Sequence, residues 1–390
     1  MTLLLWTAAL AALTMVSVAL RTEAWRRGAP SPPHAATEGD PATVALVPAR
    51  DEESNIVACL ESILQQESAP RVVLIDDASS DRTRALAEGL AATEPRLRVE
   101  AAQPLEPGWR GKVNALAGAL PQVTEAWILL VDADARLSPE LLGRAHAAAS
   151  RWRLDAVSIA GTQQAGGVGE ALLVPAVFGL LDFMLGDWHA AADGRGPAVA
   201  SGQFVLVRRV ALLESGGFAA LSRAVIDDVA LVTNLRQHGF RTGFVRAPDL
   251  LRVRMYQGLP AAIAGWRRNL GAIFGGQRAR GAFTLVALAA PAALMSISAA
   301  LHDWPAVAVV WAGGAVMSAI LRRGGRQSAA LGLLYPLDAL LLAGVLALGL
   351  ADRRRGLLAS WKGRAIDVSP AAESALEDAQ SGSADSKIAS

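Results

Sequence analysis

The chain has 390 residues, 52% of them apolar, and a mean hydropathy of +0.32. One globular core does not bury that much apolar surface, so the composition predicts segments embedded in a membrane. The 37 basic and 36 acidic residues nearly balance, which argues against a nucleic-acid-binding protein. The single cysteine, Cys59, excludes an intramolecular disulfide framework and a cysteine-rich zinc site.

The N-terminal segment predicts a membrane anchor. Residues 1–20 carry no charge and are long enough to cross a bilayer as a helix. A cleaved signal peptide is the alternative, but such a peptide usually begins with basic residues, and none occurs here. Arg21, Arg26 and Arg27 follow the apolar segment, and basic residues favour the cytoplasmic side. The arginines therefore predict a cytoplasmic domain after the anchor. Residues 28–40 are rich in Pro, Gly and Ala, which predicts a linker between the two at residues 21–42.

A second membrane region is predicted over residues 281–351. Three apolar stretches near spanning length lie within it, at residues 282–301, 305–321 and 329–351. Arg322, Arg323 and Arg326 follow the second stretch as a basic flank, and residues 353–355 follow the third, which conflicts with simple alternation of three spans. Pro336 and Asp338 make the third stretch the candidate for a re-entrant helix, because charge within a membrane is costly.

Two other segments are predicted from composition. The apolar run at residues 171–181 is flanked by Glu170 and Asp182, and its length predicts a buried or interfacial helix that is too short to span. Residues 352–390 begin with arginines and continue with Ser, Ala, Asp and Glu, which predicts a basic and then disordered tail.

Residues 43–280 are predicted to form an α/β domain. Short apolar runs alternate with segments of helical periodicity, which predicts a Rossmann-like, mostly parallel sheet covered by helices on both faces. Ligands of such sheets bind beyond the carboxyl ends of the strands. Acid-bearing loops follow three of the predicted strands, at residues 48–52, 76–81 and 132–134. Each loop alone is equally well explained as a helix cap, but three on one edge predict a site.

The sharpest motif is the pair Asp132 and Asp134, which follows a six-residue apolar strand. Residues two apart in an extended segment point to the same side, so both carboxylates can approach one hard divalent cation. Magnesium or manganese binds in this way, through one or two carboxylates plus substrate phosphates. The sequence has neither a phosphate-binding P-loop nor a dinucleotide-binding glycine fingerprint after its first strand, which disfavours both of those classes.

Two further segments contain candidate functional residues, and each also has a purely structural explanation. Asp227 and Asp228 open a predicted helix, where acids are also favourable for purely structural reasons. Trp266, Arg267 and Arg268 precede the C-terminal apolar region, a position also typical of a membrane interface.

Taken together, these elements resemble the family 2 glycosyltransferases, which have the GT-A fold. The anchor and the C-terminal apolar region are most similar to the hopene-associated glycosyltransferases of bacterial hopanoid gene clusters, and ceramide glucosyltransferases share this layout. The resemblance lies in six segments in order, at residues 47–52, 76–83, 111–116, 132–134, 201–203 and 227–231.

The resemblance implies roles for individual residues. Uridine of the donor would be held by Pro48, Asp51 or Glu52, and Asp77. Lys112 would lie near the donor, Asp132 and Asp134 would bind the diphosphate and a Mg²⁺ or Mn²⁺ ion, and Asp228 would be the general base. Candidates for contacts with the acceptor or the leaving group are Gly202, Gln203, Asp227, Trp266, Arg267 and Arg268.

The function implied by the resemblance is that of a membrane-bound inverting glycosyltransferase. It would move one sugar from a UDP-linked donor to a lipid acceptor, and the layout implies an acceptor related to hopanoids. The protein would be a multi-pass protein of the bacterial inner membrane with its catalytic domain in the cytoplasm. A processive polysaccharide synthase is one alternative, although those enzymes often carry Gln-x-x-Arg-Trp and this chain has Trp266 before Arg267. A non-catalytic scaffold of a lipid-synthesis complex is the other.

Overall fold

The computed structural model describes residues 3–34, 42–186, 188–224, 226–275, 277–355, 359–361 and 364–366. Most of the predicted linker after residue 34 and the tail beyond residue 366 lie outside this set. Contacts divide the chain into two compact units. The α/β unit consists of Ala29–Gln164 and Asp187–Arg254, and the helical unit consists of Met1–Gly28, Ala165–Gly186 and Met255–Ser390.

The α/β unit is built on a mixed sheet of seven strands. In spatial order these are β3 (Leu97–Ala101), β2 (Arg71–Asp76), β1 (Thr43–Ala49), β4 (Trp127–Leu130), β8 (Val205–Arg208), β6 (Ala156–Ala160) and β9 (Thr242–Arg246). The first four are parallel, β8 runs antiparallel to both of its neighbours, and β6 pairs with β9 in parallel. The prediction of a mostly parallel α/β sheet is thus confirmed, with β8 as the exception.

A smaller sheet and short helices complete this unit. The small sheet has the order β5 (Ala135–Leu137), β10 (Leu251–Val253) and β7 (Thr162–Gln163). The helices are α2 (Ile56–Leu64), α3 (Thr83–Ala91), α4 (Gly111–Ala119), α5 (Leu141–Trp152), α7 (Trp188–Ala192), α8 (Arg209–Glu214) and α9 (Asp227–Gln237), with 3-10 turns at Leu120–Gln122 and Gly217–Leu221.

The core of this unit explains why its strands are nearly continuous apolar runs. Strand β1 is buried along its whole length except at Pro48, because its side chains are covered on both faces of the sheet. Val113 and Leu116 of α4 pack with Leu46 and Ile128 of the sheet in one buried cluster. The start of α4 is therefore held firmly beside the carboxyl ends of the central strands.

The helical unit contains six helices and a short hairpin among the described residues. The helices are α1 (Leu3–Gly28), α6 (Val168–Leu185), α10 (Leu259–Gly275), α11 (Arg278–Ala300), α12 (Trp304–Gly324) and α13 (Tyr335–Arg355), the last preceded by a 3-10 turn at Ala329–Leu334. The hairpin joins β11 (Ala359–Trp361) to β12 (Arg364–Ile366). Helix α1 continues beyond the predicted anchor of residues 1–20 into the predicted linker.

Five helical segments of the described chain are long and apolar enough to cross a membrane. They are Leu3–Gly28, Val168–Leu185, Ala279–Ala300, Trp304–Gly324 and Ala329–Arg355. Four of these segments correspond to the predicted apolar stretches. The fifth, α6, corrects our prediction that the apolar run at residues 171–181 is too short to span a membrane, because the helix extends over Val168–Leu185. The flanking acids do not end this helix: they lie within it.

The acids of α6 are accommodated by hydrogen bonds and an ion pair. The carboxylate of Glu170 accepts hydrogen bonds from the backbone N–H groups of Gly166 and Gly258, both at 2.7 Å. Asp182 pairs with Arg26 of α1 at 2.5 Å. Because both charges have partners, they are compatible with an otherwise apolar helix of 18 residues.

A buried ion pair also accounts for the acid in the last apolar segment. Asp338 accepts hydrogen bonds from Ser318 at 2.6 Å and from Arg322 at 3.1 Å, and Arg322 also donates to the backbone carbonyl of Ala171. The arginine is completely buried, so it does not belong to a free basic flank as the sequence suggested. Helix α13 starts at Tyr335 and runs unbroken, and Pro336 sits in its first turn, where proline is tolerated.

Candidate active site

The predicted acid-bearing loops do share one edge of the sheet. Strand β1 is parallel to both β2 and β4, so the loops that follow these three strands emerge on the same side. Pro48 lies within β1 opposite Ile75 of β2, and Asp77 is buried directly after β2. The predicted donor residues Pro48, Asp51, Glu52 and Asp77 are therefore all in neighbouring segments of the α/β unit.

The first two loops are tied together by hydrogen bonds. Oδ1 of Asp51 accepts from the backbone N–H of Ser80 at 2.7 Å and from its hydroxyl at 3.1 Å. The backbone N–H of Glu52 donates to Oγ1 of Thr83 at 2.6 Å. Asp51 has a positive φ of 51°, a conformation that aspartate tolerates better than most residues. Asp51 therefore shapes this loop, whatever it contributes to ligand binding.

Lys112 stands between two of the predicted site acids. Its Nζ lies 2.8 Å from Oδ1 of Asp132 and 2.9 Å from Oδ2 of Asp227. Burial by itself would lower the pKa of this ammonium, but Asp132, Asp227 and Asp228 outweigh burial and raise the pKa well above its usual value. Lys112 is thus a cation within an acid cluster that consists of Asp132, Asp227 and Asp228.

Asp228 is held by the backbone. Its Oδ2 accepts a hydrogen bond from the N–H of Gly202 at 2.5 Å, and its Oδ1 accepts from the N–H of Val229 at 2.8 Å. Burial, followed by the charge of Asp227, raises the pKa of Asp228 to about 7, although Lys112 acts in the opposite direction. A carboxylate with this pKa is well matched to accept a proton near neutral pH.

Asp134 has the features of a metal ligand. Its Oδ1 is buried and has no hydrogen-bond partner. Burial and the neighbouring charges of Asp132 and Glu52 raise the pKa of Asp134 to about 7. No group of three or more His, Cys, Asp or Glu within the described residues is arranged to hold an ion. Two carboxylates fit a magnesium or manganese ion whose remaining ligands come from phosphates and water.

Gly202 permits the close approach of these groups. A Cβ atom at this position would lie 3.0 Å from Nζ of Lys112 and 3.2 Å from Oδ2 of Asp132. The neighbouring Gln203 is buried and exchanges two amide hydrogen bonds with Gln163, at 2.9 and 3.2 Å. The predicted acceptor-side residues Gly202 and Asp227 are therefore brought together with Lys112 and Asp228, whereas the side chain of Gln203 pairs with Gln163.

Trp266, Arg267 and Arg268 belong to α10 of the helical unit. Trp266 is buried against Phe178 and Tyr256, with edge-on ring contacts at centroid distances of 5.4 and 6.1 Å. The guanidinium of Arg267 forms a bidentate ion pair with the carboxylate of Asp352. Nε of Arg268 donates to Oδ1 of Asn269 at 3.2 Å, and burial lowers the pKa of Arg268.

Two supporting residues were missed by the sequence analysis. Cys59 of α2 is buried, and its Sγ donates to the backbone carbonyl of Asp132 at 3.6 Å, so it lies beneath the acidic loop. Burial raises the pKa of this thiol, which keeps it neutral. Gln163 was also missed, because its partner Gln203 is 40 positions away and no local pattern connects the two.

This sheet and the acidic loops at its edge define a glycosyltransferase of the GT-A class. The chain belongs to the glycosyltransferase-like family 2, whose sequence profile matches residues 41–257. The family and fold predictions from the six segments are thereby confirmed.

Two similar proteins illustrate the relationship. The chain is 25% identical over 253 residues to the 4,4'-diaponeurosporenoate glycosyltransferase of Staphylococcus aureus, a match that covers 61% of this chain and 63% of the relative. The match thus spans less than two thirds of the relative's length. The fold is similar to that of the mannosyltransferase PcManGT from Pyrobaculum calidifontis, solved in complex with GDP-Man and Mn²⁺. That comparison has a TM-score of 0.53 and 21% identity, and it covers 90% of this chain and 98% of the other.

Proposed function

We propose that the protein transfers a single sugar from a nucleotide-sugar to a lipid acceptor with inversion at the anomeric carbon. The observation that carries the proposal is the position of Asp228. It is a backbone-anchored carboxylate with a pKa of about 7, in a cluster with Lys112 and Asp132 at the carboxyl edge of the sheet. That arrangement combines a general base with charged groups suited to a diphosphate.

The proposed step is one displacement. The acceptor hydroxyl attacks the anomeric carbon while its proton passes to Asp228, and the bond from that carbon to the diphosphate oxygen breaks. The nucleoside diphosphate leaves with the electron pair. Backbone N–H groups of Gly202 and Val229 hold the Asp228 carboxylate in one orientation, so the base does not have to be ordered during the reaction.

A Mg²⁺ or Mn²⁺ ion is the cofactor that we propose. Asp134 and Asp132 would hold it, and when bound it would neutralise charge on the departing diphosphate. The unpartnered Oδ1 of Asp134 supports this assignment.

The lipid acceptor is supported by the helical unit. Among the described residues, five segments are long and apolar enough to cross a membrane, which suits an acceptor dissolved in lipid. The Staphylococcus aureus relative is named for a carotenoid acid, which is a lipid-like acceptor. The layout resembles that of hopene-associated glycosyltransferases, so a hopanoid with a free hydroxyl is the first acceptor to test. A carotenoid carboxylate is the informative comparison, because it is ionised at neutral pH and would attack without a proton transfer to Asp228.

We further propose that the protein lies in the bacterial inner membrane with its α/β unit in the cytoplasm. Arg21 and Arg27, which are exposed after the uncharged N-terminal segment, support this orientation, whereas Arg26 is buried and paired with Asp182. Protease added to intact spheroplasts should leave residues 43–254 uncut and should cut them after lysis. Cleavage before lysis would overturn the orientation.

The test of the function is transfer of a labelled sugar. Membranes that contain the protein are incubated with radiolabelled UDP- or GDP-sugars and a panel of lipid acceptors, and the label is followed into extracted lipid. Membranes with Asp228→Asn serve as the matched control. Label in a polymer would favour a processive synthase instead. If the wild type transfers no label from any donor and does not differ from the control, the transferase proposal is wrong and the non-catalytic scaffold is favoured.

A further inference from the structure

We propose that Lys112 is a positioning residue that competes with the divalent cation for Asp132, so that the metal binds tightly only together with a diphosphate. This inference rests on the proposed function, because it assigns Lys112 a task in loading the donor. The inference is that the metal and the diphosphate depend on each other for binding through Lys112, which goes beyond a position of Lys112 near the donor.

The contacts of Lys112 show why its ammonium and a divalent cation would compete for Asp132. Its ammonium has three N–H donors, and Asp132 and Asp227 accept from it at 2.8 and 2.9 Å. The Lys112 side chain is only 22% exposed, so bulk water screens these contacts weakly. A dication on Asp132 would share a carboxylate with this ammonium and would repel it.

The two predicted metal ligands are in different situations. Oδ1 of Asp134 is buried and has no hydrogen-bond partner, whereas Oδ1 of Asp132 is engaged by Lys112. A cation approaching this pair meets one carboxylate oxygen without a hydrogen-bond partner, on Asp134, and one that is already paired with an ammonium, on Asp132. The ammonium of Lys112 therefore weakens metal binding at Asp132 more than at Asp134.

The surroundings let the ammonium move without moving the backbone. Lys112 lies in the first turn of α4, which is anchored by the buried Val113 and Leu116. Gly202 contributes no side chain on the adjacent wall, where a Cβ would come within 3.0 Å of Nζ. In the proposal, Nζ passes from Asp132 to another anion by rotation of the Lys112 side chain, while α4 stays in place.

A diphosphate provides that anion. Its oxygens accept charge-assisted hydrogen bonds from an ammonium and also coordinate a divalent cation. When Lys112 donates to the diphosphate, Asp132 becomes available to the metal, so the two ligands strengthen each other's binding. Linkage makes this coupling reciprocal, and it is therefore measurable from either side.

The experiment measures Mn²⁺ binding to the purified full-length protein in detergent by electron paramagnetic resonance, without nucleotide. Lys112→Met should bind Mn²⁺ about tenfold more tightly than the wild type, because the variant lacks the ammonium that repels the cation. Lys112→Gln should show the same increase in Mn²⁺ affinity. Lys112→Arg should stay close to the wild type, because it keeps the cation. The matched control is Arg71→Met, which removes an ion-paired cation from Glu125, outside the acid cluster.

A second measurement adds UDP or GDP as the probe. In the wild type, Mn²⁺ should strengthen nucleotide binding, and Lys112→Met should reduce this coupling by about the same tenfold factor. Unchanged or weaker Mn²⁺ binding in folded Lys112→Met and Lys112→Gln would overturn the inference. Failure of the proposed function looks different: the wild type would then bind neither nucleotide and would transfer no sugar, whatever its affinity for Mn²⁺.

Discussion

The backbone N–H of Gly202 donates a hydrogen bond to Oδ2 of Asp228 across 2.5 Å. The glycine precedes β8 and the aspartate opens α9, so this contact joins two segments that are 26 positions apart in the chain. It places a carboxylate with a raised pKa next to Lys112 and Asp132 without using another side chain.

Replacing Asp228 with Asn should reduce turnover by about 10²–10⁴-fold, the usual contribution of general-base catalysis. The amide retains the shape of the side chain but does not accept the proton. Binding of the nucleotide-sugar should change little. Steady-state kinetics and direct donor titration on the same variant measure both quantities.

The competing explanation makes Asp228 only an acid at a helix N-terminus, worth about 0.3–1 kcal/mol of stability. Glu140→Gln, at the acid that precedes α5, is the control for such a local effect. Near-normal turnover of Asp228→Asn with a slightly lower melting temperature would remove Asp228 from the mechanism.

The pH dependence follows from the raised pKa of Asp228, which is about 7. The base works only when ionised, so kcat/KM should fall about tenfold for each pH unit below this pKa and level off above it. The measurement is made at saturating Mn²⁺, because Asp134 also has a raised pKa of about 7 and a bound cation keeps it ionised. Under these conditions the residual activity of Asp228→Asn should lack this limb of the profile. A wild-type rate that is constant between pH 5 and 8 would contradict the assignment.

Asp134→Asn should abolish the Mn²⁺-dependent activity and yet stabilise the metal-free protein. The pKa of Asp134 is about 7 in the folded protein against 3.8 when unperturbed, so the folded state holds this proton more tightly. The free energy of unfolding therefore falls as pH rises from about 4 to about 7, and the penalty is fully present above pH 7. Asparagine removes the penalty.

Melting temperatures measured in excess chelator at pH 8 test the stability effect of Asp134→Asn. We expect the variant to melt above the wild type, and adding Mn²⁺ should raise only the wild-type value. A variant that melts lower in chelator would show that the Asp134 carboxylate supports the fold. Full wild-type activity in excess chelator would refute the metal requirement.

Gly202→Ala should lower turnover strongly while the protein stays folded. The added Cβ would lie 3.0 Å from Nζ of Lys112 and 3.2 Å from Oδ2 of Asp132, so the acid cluster must shift. The matched control is Gly89→Ala in α3, where a Cβ meets nothing within 4 Å and alanine favours the helix. Equal activity of both variants would show that the cluster tolerates displacement.

The buried pair of Arg322 and Asp338 should behave as a unit. Arg322→Met leaves Asp338 without its cation and should destabilise the protein by about 3–5 kcal/mol, whereas adding Asp338→Leu should recover most of that loss. Thermal unfolding in detergent measures the effect, with the exposed neighbour Arg323→Met as the control. A double variant no more stable than Arg322→Met would mean that the pair is not coupled.

The sequence by itself determined the local elements and their order. The apolar runs that became β1, β2 and β4 are buried on both faces, and their periodicity is a property of consecutive residues. Because parallel strands end on one edge, the positions of the acidic loops followed directly. Asp132 and Asp134 were predicted as site residues for the same reason, since their motif directly follows a strand in the sequence. Asp228 was predicted from its place in the family's acid pair, which directly precedes a helix.

Only the tertiary structure decided which of these groups meet. Lys112 contacts Asp227, more than a hundred positions away, and no spacing rule predicts such a pair. Helix α6 was judged too short because Glu170 and Asp182 look like helix ends until their partners at Gly258 and Arg26 are known. Arg322 was read as a basic flank for the same reason. The free energy of a buried charge is set by the partners that folding brings to it, and those partners come from distant parts of the chain.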